Sequence, residues 1–230
     1  CNSWTPINTA SLFGQSFELQ ITGKTMQPSL FLDENTQSAE IIRLPDAELH
    51  YYPAFLAELA GHRVLESLLK ETPWQQDHLV FGGRRVPVPR LQAWYGNREC
   101  RYGYSGLMLA PLPWTPTLHE LRSMVEDVTG EPFNCVLLNH YRNGHDSVSW
   151  HSDDEPELGP DPVIASLSLG EARKFELKHR KTGVKSVCEL GHGSLLVMGR
   201  GIQQNWQHQA PKQSGVTGSR LNLTFRNIVA

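Results

Sequence analysis

The sequence predicts a mainly β protein with flanking helices, its core a sandwich or jelly roll. Three observations lead there. Short β-patterned runs follow one another through the C-terminal half, Gly, Pro and Asn turns separate them, and two amphipathic helical stretches precede them. The runs occupy 133–141, 163–169, 174–178, 184–190, 194–198 and 221–229. A chain of 230 residues, 39% hydrophobic and 20% charged, has the composition of a globular protein that buries one large core. No internal repeat or low-complexity tract divides it, and no apolar run is long enough to span a bilayer. A single main domain with no membrane partner is therefore expected.

Residues 1–40 are rich in Ser, Thr, Asn and Gln without sustained periodicity and read as an N-terminal arm, leaving 41–230 for the main domain. A short strand is expected at 41–44. Over 54–69, Phe55, Leu59, Val64, Leu65, Leu68 and Leu69 recur at helical spacing, with an interruption near Gly61. Leu79-Val80-Phe81-Gly82-Gly83 reads as a hairpin whose Gly-Gly serves the turn. A second helix is expected from Thr117, because Thr117 and Glu120 have capping-box spacing and Leu118, Leu121, Val125 and Val128 follow in period; Gly130 ends it. Both helices would pack outside the β-core.

The net charge of −3 gives no global signal for a polyanionic partner, but the cations are uneven. Arg84, Arg85, Arg90, Arg98 and Arg101 share a stretch whose only acid is Glu99, and this segment is balanced between charged strand edges and phosphate contacts. Arg173, Lys174, Lys178, Arg180, Lys181 and Lys185 form a second basic segment, read as solvated strand edge. Cys1, Cys100, Cys135 and Cys188 include no C-x-x-C pair, which argues against a structural zinc site or disulfide scaffold and fits a reducing compartment.

His151-Ser152-Asp153, answered far along the chain by His208, is the strongest chemical signal. On an extended segment, residues two apart point the same way, so His151 and Asp153 can aim at one ion while Ser152 points away. Trp150 beside them is a candidate for excluding water. Two imidazoles and one carboxylate leave about half of an octahedral iron's positions open, the arrangement of non-haem Fe(II) oxygenases. His50, His62, His78, His119, His140, His145, His179 and His192 taken singly read as surface or hydrogen-bonded residues.

The same alternation puts Arg220, Asn222, Thr224 and Arg226 on one face of the last strand and Leu221, Leu223 and Phe225 on the other. The apolar face marks core, so the polar face is expected to line a cavity. Two guanidiniums there require anions, and a dicarboxylic co-substrate supplies them through bidentate contacts. Asn139 and Tyr141 share a face of their own run and can donate to the same anion.

With these residues assembled, the chain resembles the AlkB family of Fe(II)- and 2-oxoglutarate-dependent nucleic-acid dealkylases, from about residue 73 to the end. Pro89-Arg90-Leu91, Trp94-Tyr95-Gly96, Tyr104-Ser105-Gly106, Asn139-His140-Tyr141, the run from Trp150 to Glu155, the run from Ile164 to Gly170, His192-Gly193-Ser194-Leu195-Leu196 and the run from Arg220 to Arg226 carry the likeness. It looks most like the branch that repairs methylated adenine and cytosine in DNA and, in some members, RNA. The resemblance implies a double-stranded β-helix (jelly roll) with Fe(II) on His151, Asp153 and His208, and with 2-oxoglutarate and O2 as co-substrates. It implies Asn139, Tyr141 and Arg220 on the distal carboxylate of 2-oxoglutarate, and Asn222, Thr224 and Arg226 lining that pocket. The implied reaction hydroxylates an N-methyl group, giving succinate, CO2 and formaldehyde.

The resemblance also assigns substrate contacts, within a nucleotide-recognition region at about 74–106 and beyond it. Tyr102, Tyr104 and Ser105 match positions that touch the target base, and Phe81 matches an apolar hairpin tip that wedges into the gap a flipped base leaves. N1-methyladenine and N3-methylcytosine are cationic, so Asp154 and Glu155 beside the metal carboxylate favour the damaged base. In this setting the arginines after the hairpin become phosphate contacts. One departure concerns duplexes: relatives that prefer them can carry a basic cluster after the distal His, whereas Pro211-Lys212-Gln213-Ser214-Gly215 offers one lysine. The alternatives are an iron hydroxylase of protein or small molecules, and a non-catalytic nucleic-acid-binding jelly roll. A monomer is expected, cytoplasmic in a bacterium and nuclear in a eukaryote.

Overall fold

The computed structural model describes residues 38–100, 102–104 and 107–229. In chain order the strands are β1 (Glu40–Leu44), β2 (Ala47–Tyr52), β3 (His78–Phe81), β4 (Arg84–Pro87), β5 (Leu91–Gly96), β6 (Tyr102–Tyr104), β7 (Leu107–Leu109), β8 (Cys135–Tyr141), β9 (Val148–His151), β10 (Ile164–Gly170), β11 (Arg173–His179), β12 (Lys185–Leu190), β13 (Ser194–Met198), β14 (Trp206–Ala210) and β15 (Arg220–Arg226). The helices are α1 (Glu58–Glu71), α2 (Pro116–Thr129) and the short α3 (Ile202–Asn205). A seven-stranded sheet runs β1-β2-β13-β10-β15-β8-β5, and a four-stranded sheet runs β12-β11-β14-β9. Every ladder within them is antiparallel, and residues of both sheets line one cavity, as a jelly roll requires.

Both faces of the large sheet are buried, for different reasons. Leu138 of β8, Leu167 of β10, Leu195 of β13 and Leu223 of β15 pack in one cluster with Val64 and Leu68 of α1 and Leu118, Leu121 and Val125 of α2. Each such side chain contributes on the order of 1.5–3 kcal/mol through burial. A second cluster joins Leu196 and Met198 of β13 to Phe175, Leu177 and Trp206 of the small sheet. β15 is an interior strand, bonded to β10 and β8, so its polar face meets the cavity and not solvent.

Several elements differ from the sequence expectation. β2 was not expected: only Leu49 and Tyr52 of its residues are buried, and pairing with β13 makes it a strand. α1 starts at Glu58 without a side-chain cap, and it runs unbroken through Gly61. A Cβ at Gly61 would meet His192 Nε2 at 2.5 Å, so glycine serves close packing there and not an interruption. α2 is capped by Thr115, whose hydroxyl accepts from Leu118 N at 3.2 Å, with Pro116 opening the first turn. The Thr117–Glu120 pair is therefore not the cap, while Gly130 closes the helix in the left-handed region at φ 68°.

β3 and β4 form the hairpin, with Gly82 and Gly83 both at positive φ as a two-residue turn requires. It projects Val80, 75% exposed, together with Leu79 and Val86. Among the described residues no helix is long and apolar enough to cross a membrane.

Candidate active site

β9 and β14 pair so that His151 stands opposite His208, with a register shift just beyond them. Their rings lie 4.3 Å apart, and Asp153 follows two residues after His151. One donor atom from each of the three residues lies within 4.8 Å of the others. His151 Nδ1 sits 2.8 Å from Ser149 O; a carbonyl only accepts, so Nδ1 carries the proton and Nε2 keeps its lone pair for a metal. Burial, and after it the neighbouring His151, pushes the His208 imidazole down to about 3, which leaves that ring neutral at neutral pH. Two imidazoles and one carboxylate are the donor set that suits Fe(II) with positions left open.

Asp153 is 2% exposed and held from two sides. Burial would raise its carboxyl, but the Arg226 charge, followed by His208 and His151, outweighs this and keeps it below the ordinary value. Arg226 donates to Oδ1 at 2.6 Å, while Oδ2 faces His208 Nε2 at 3.9 Å. Arg226 thus lines the cavity but is committed to the metal carboxylate. Gln203 of α3, also buried, accepts from Asp153 N at 2.9 Å. Gln203 was not legible in the sequence, because a four-residue helix has no periodicity to read. Ser152 points away, donating to Trp206 O at 2.8 Å and accepting from Arg180 at 2.6 Å. Trp150 is half-buried and is not among the residues lining the cavity.

Asn139, Tyr141, Arg220, Asn222, Thr224 and Arg226 all line the cavity that holds the His-Asp-His cluster. Arg220 is 3% exposed, donates to Ser168 Oγ at 2.9 Å, and lies 5.2 Å from the Tyr141 ring centre. Its Nε has no hydrogen-bond partner, and no carboxylate forms an ion pair with it among the described residues. Burial lowers it to about 10, which leaves it cationic at neutral pH. A buried cation without an anion is costly, so an anionic ligand fits here. Asn139 Oδ1 accepts from Arg90 Nε at 2.7 Å and from Gln92 Nε2 at 3.0 Å, which fixes the amide and leaves its NH2 as a donor. Neither Arg90 nor Gln92 was identified for this role from sequence, although Arg90 stood out as a cation. Asn222 Nδ2 bonds Ser166 Oγ at 2.7 Å, and Thr224 Oγ1 donates to Asn222 Oδ1 at 3.0 Å.

One expectation needs correction. Arg173 is not a solvated edge cation: it is buried at the start of β11. Asp154 is exposed, paired with Arg180 at 2.6 Å, and does not line the cavity. Glu155 is half-buried at the start of the turn Pro156–Leu158 and lies outside the cavity lining too. The side chains of Phe81, Tyr102 and Tyr104, and Ser105 altogether, lie outside the described residues.

Comparison with known proteins agrees with this geometry. A family model described as the 2OG-Fe(II) oxygenase superfamily matches residues 48–226. The Mus musculus protein "Alpha-ketoglutarate-dependent dioxygenase alkB homolog 3" is 43% identical over 187 residues, 77% of this chain and 65% of that protein. Its Homo sapiens counterpart is 37% identical over 219 residues, 91% of this chain and 76% of that protein. The Homo sapiens "DNA oxidative demethylase ALKBH2" is 38% identical over 190 residues, 77% of this chain and 72% of that protein. The chain spans less than two thirds of the mouse and rat alkB homolog 3 proteins, 65% and 63% of their lengths. A solved structure described as OsALKBH1 shares the fold, with a TM-score of 0.58 at 16% identity, covering 82% of this chain and 100% of that one.

Proposed function

The chain belongs to the 2OG-Fe(II) oxygenase superfamily and, within it, to the AlkB family, and from that premise we propose that it oxidatively removes methyl groups from 1-methyladenine and 3-methylcytosine in DNA, with RNA as a second polymer. One observation carries the reading: the His151–Asp153–His208 cluster opens into the same cavity as the buried, anion-seeking Arg220. In this reading His151, Asp153 and His208 hold the iron, and Arg220, with the Asn139 amide and Tyr141, takes the distal carboxylate of 2-oxoglutarate. When bound, iron with 2-oxoglutarate and O2 would supply the oxidant for hydroxylating the N-methyl group, with succinate and CO2 as co-products and formaldehyde released from the hydroxymethyl base. Arg226, on the Asp153 carboxylate, and Gln203, on the Asp153 backbone N–H, would hold this ligand in place beside the two histidines.

For the substrate side, the relatives named for DNA demethylation support a nucleic acid. The exposed hairpin supports it too: apolar Leu79, Val80 and Val86 with Arg84 and Arg85 combine a surface that stacks with cations that bind phosphate. Asp154 and Glu155 follow the metal carboxylate directly and favour a base made cationic by methylation, with Arg180 moderating Asp154.

The test is incubation with Fe(II), 2-oxoglutarate and single- or double-stranded oligonucleotides bearing 1-methyladenine, in DNA and in RNA. Formaldehyde release with restored adenine is expected. Intact methylated oligonucleotide after incubation with metal-loaded protein contradicts the reading, and 2-oxoglutarate turnover stimulated only by protein or small molecules would redirect it.

A further inference from the structure

Arg173 is 1% exposed, yet it contributes to no described ion pair. Its guanidinium donates to three backbone carbonyls: NH1 to Asn143 O at 3.2 Å, and NH2 to Asp146 O at 2.9 Å and Pro211 O at 2.7 Å. Those carbonyls belong to two loops, one leaving β8 just after Tyr141, the other leaving β14 and leading to Arg220. The loops also bond each other, Gly144 N to Val216 O at 2.9 Å and Gln213 N to Gly144 O at 2.8 Å. A side chain at Gly144 would collide with Gln213 O, so the approach is close.

The guanidinium also lies 5.6 Å from the Tyr141 ring centre, the ring that Arg220 approaches at 5.2 Å. The nearby Asp146 carboxylate does not neutralise it directly, because Arg142 occupies both oxygens, Nε on Oδ2 at 2.7 Å and NH2 on Oδ1 at 2.8 Å. Arg173 Nε has no partner. Two buried guanidiniums therefore share one phenol ring.

Stapling loops needs donors, not a charge. Neutral amides can bond carbonyls without the several kcal/mol that burying an ion costs. A charge kept at that cost beside Arg220 is explained by an anion that both cations feel. We propose that Arg173 is a positioning residue for the distal carboxylate of 2-oxoglutarate: it fixes Tyr141 and the two loops around Arg220 and adds a second positive charge at that end of the cavity. The proposal rests on the co-substrate reading above.

The test uses the full chain loaded with Mn(II), which needs no nucleic acid and no turnover. Binding of 2-oxoglutarate and of 2-oxopentanoate, the same length of keto acid without the distal carboxylate, is measured by calorimetry. Arg173→Met is expected to bind 2-oxoglutarate about tenfold more weakly, the size of one partly screened charge interaction, while 2-oxopentanoate binding stays unchanged. Arg173→Gln keeps donors for the carbonyls without the charge and is expected to show the same selective loss, which covers the case of a Met variant that does not fold. Arg173→Lys is expected to recover part of it. Equal 2-oxoglutarate affinity in wild type, R173M and R173Q, or a parallel loss for both keto acids, overturns the proposal. Failure of the wild-type Mn(II) protein to bind 2-oxoglutarate instead overturns the pocket reading itself.

Discussion

The two faces of β15 are buried alike and built oppositely. Leu221, Leu223 and Phe225 pack under the helices, and Arg220, Asn222 and Thr224, displaced by one residue, look into the space between the sheets. On the first face burial itself is the stabilising term. On the second, each polar group needs a partner, which it finds in Ser168, Ser166 or Asn222, or it remains unsatisfied, as Arg220 Nε does. The lesson is a division of labour within one strand: stability resides on the helix side, and the capacity to bind resides on the side where stability was given up.

The largest effect expected from challenging that division is at the metal cluster. His208→Ala should abolish turnover and remove Co(II) binding, while far-UV circular dichroism stays that of a folded barrel; a variant that unfolds would show the polar face to be structural. Next comes a matched pair on β15. Leu223→Ala should cost about 2–5 kcal/mol of unfolding free energy and leave 2-oxoglutarate affinity in the folded protein unchanged. Arg220→Met should do the reverse, with 2-oxoglutarate binding weakened by about 2–5 kcal/mol and thermal stability unchanged or raised, because an unpaired buried cation is gone. Calorimetric binding and urea unfolding of both variants give the comparison directly, and a shared loss in both would erase it.

A smaller effect is expected where the backbone, not a ligand, is held. Gln203→Met leaves Asp153 N without its acceptor, and metal affinity should fall on the order of 10- to 100-fold; Gln203→Glu, which keeps an acceptor oxygen, should recover most of it. The smallest effect lies at the rim of the polar face. Burial would raise the Asp146 carboxyl, but the side-chain and backbone hydrogen bonds of Arg142 outweigh it and hold it below the ordinary value. A folded value below the unfolded one of about 3.9 means its stabilisation is present above that pH and is lost as pH falls through the folded value. Asp146→Asn should therefore flatten the acid side of a stability-against-pH curve and leave the neutral range with a modest, pH-independent loss.

Much of the jelly roll and of the cavity wall could be read from spacing. Asn139 with Tyr141, His151 with Asp153, and Arg220 through Arg226 each depend only on the period of two, a local property of extended chain. β13 was legible to its ends, being a continuous apolar run between turn residues. β2, with few buried side chains, was not, nor was the burial of Arg173, which stands in a segment of exposed lysines. Gln203 and the Arg180–Asp154 pair escaped because their partners are 50 and 26 residues away in the chain.

The sequence by itself determined which side chains share a face, where the hairpin turns, and which strand carries apolar and polar rows side by side. Only the tertiary structure decided that β9 and β14 pair with His208 against His151, that Arg226 serves Asp153, and that Arg173 lies buried among carbonyls. The physical reason is range. Backbone geometry sets side-chain direction over two or three residues, whereas the field and partners at a buried charge come from segments that only the closed barrel brings together.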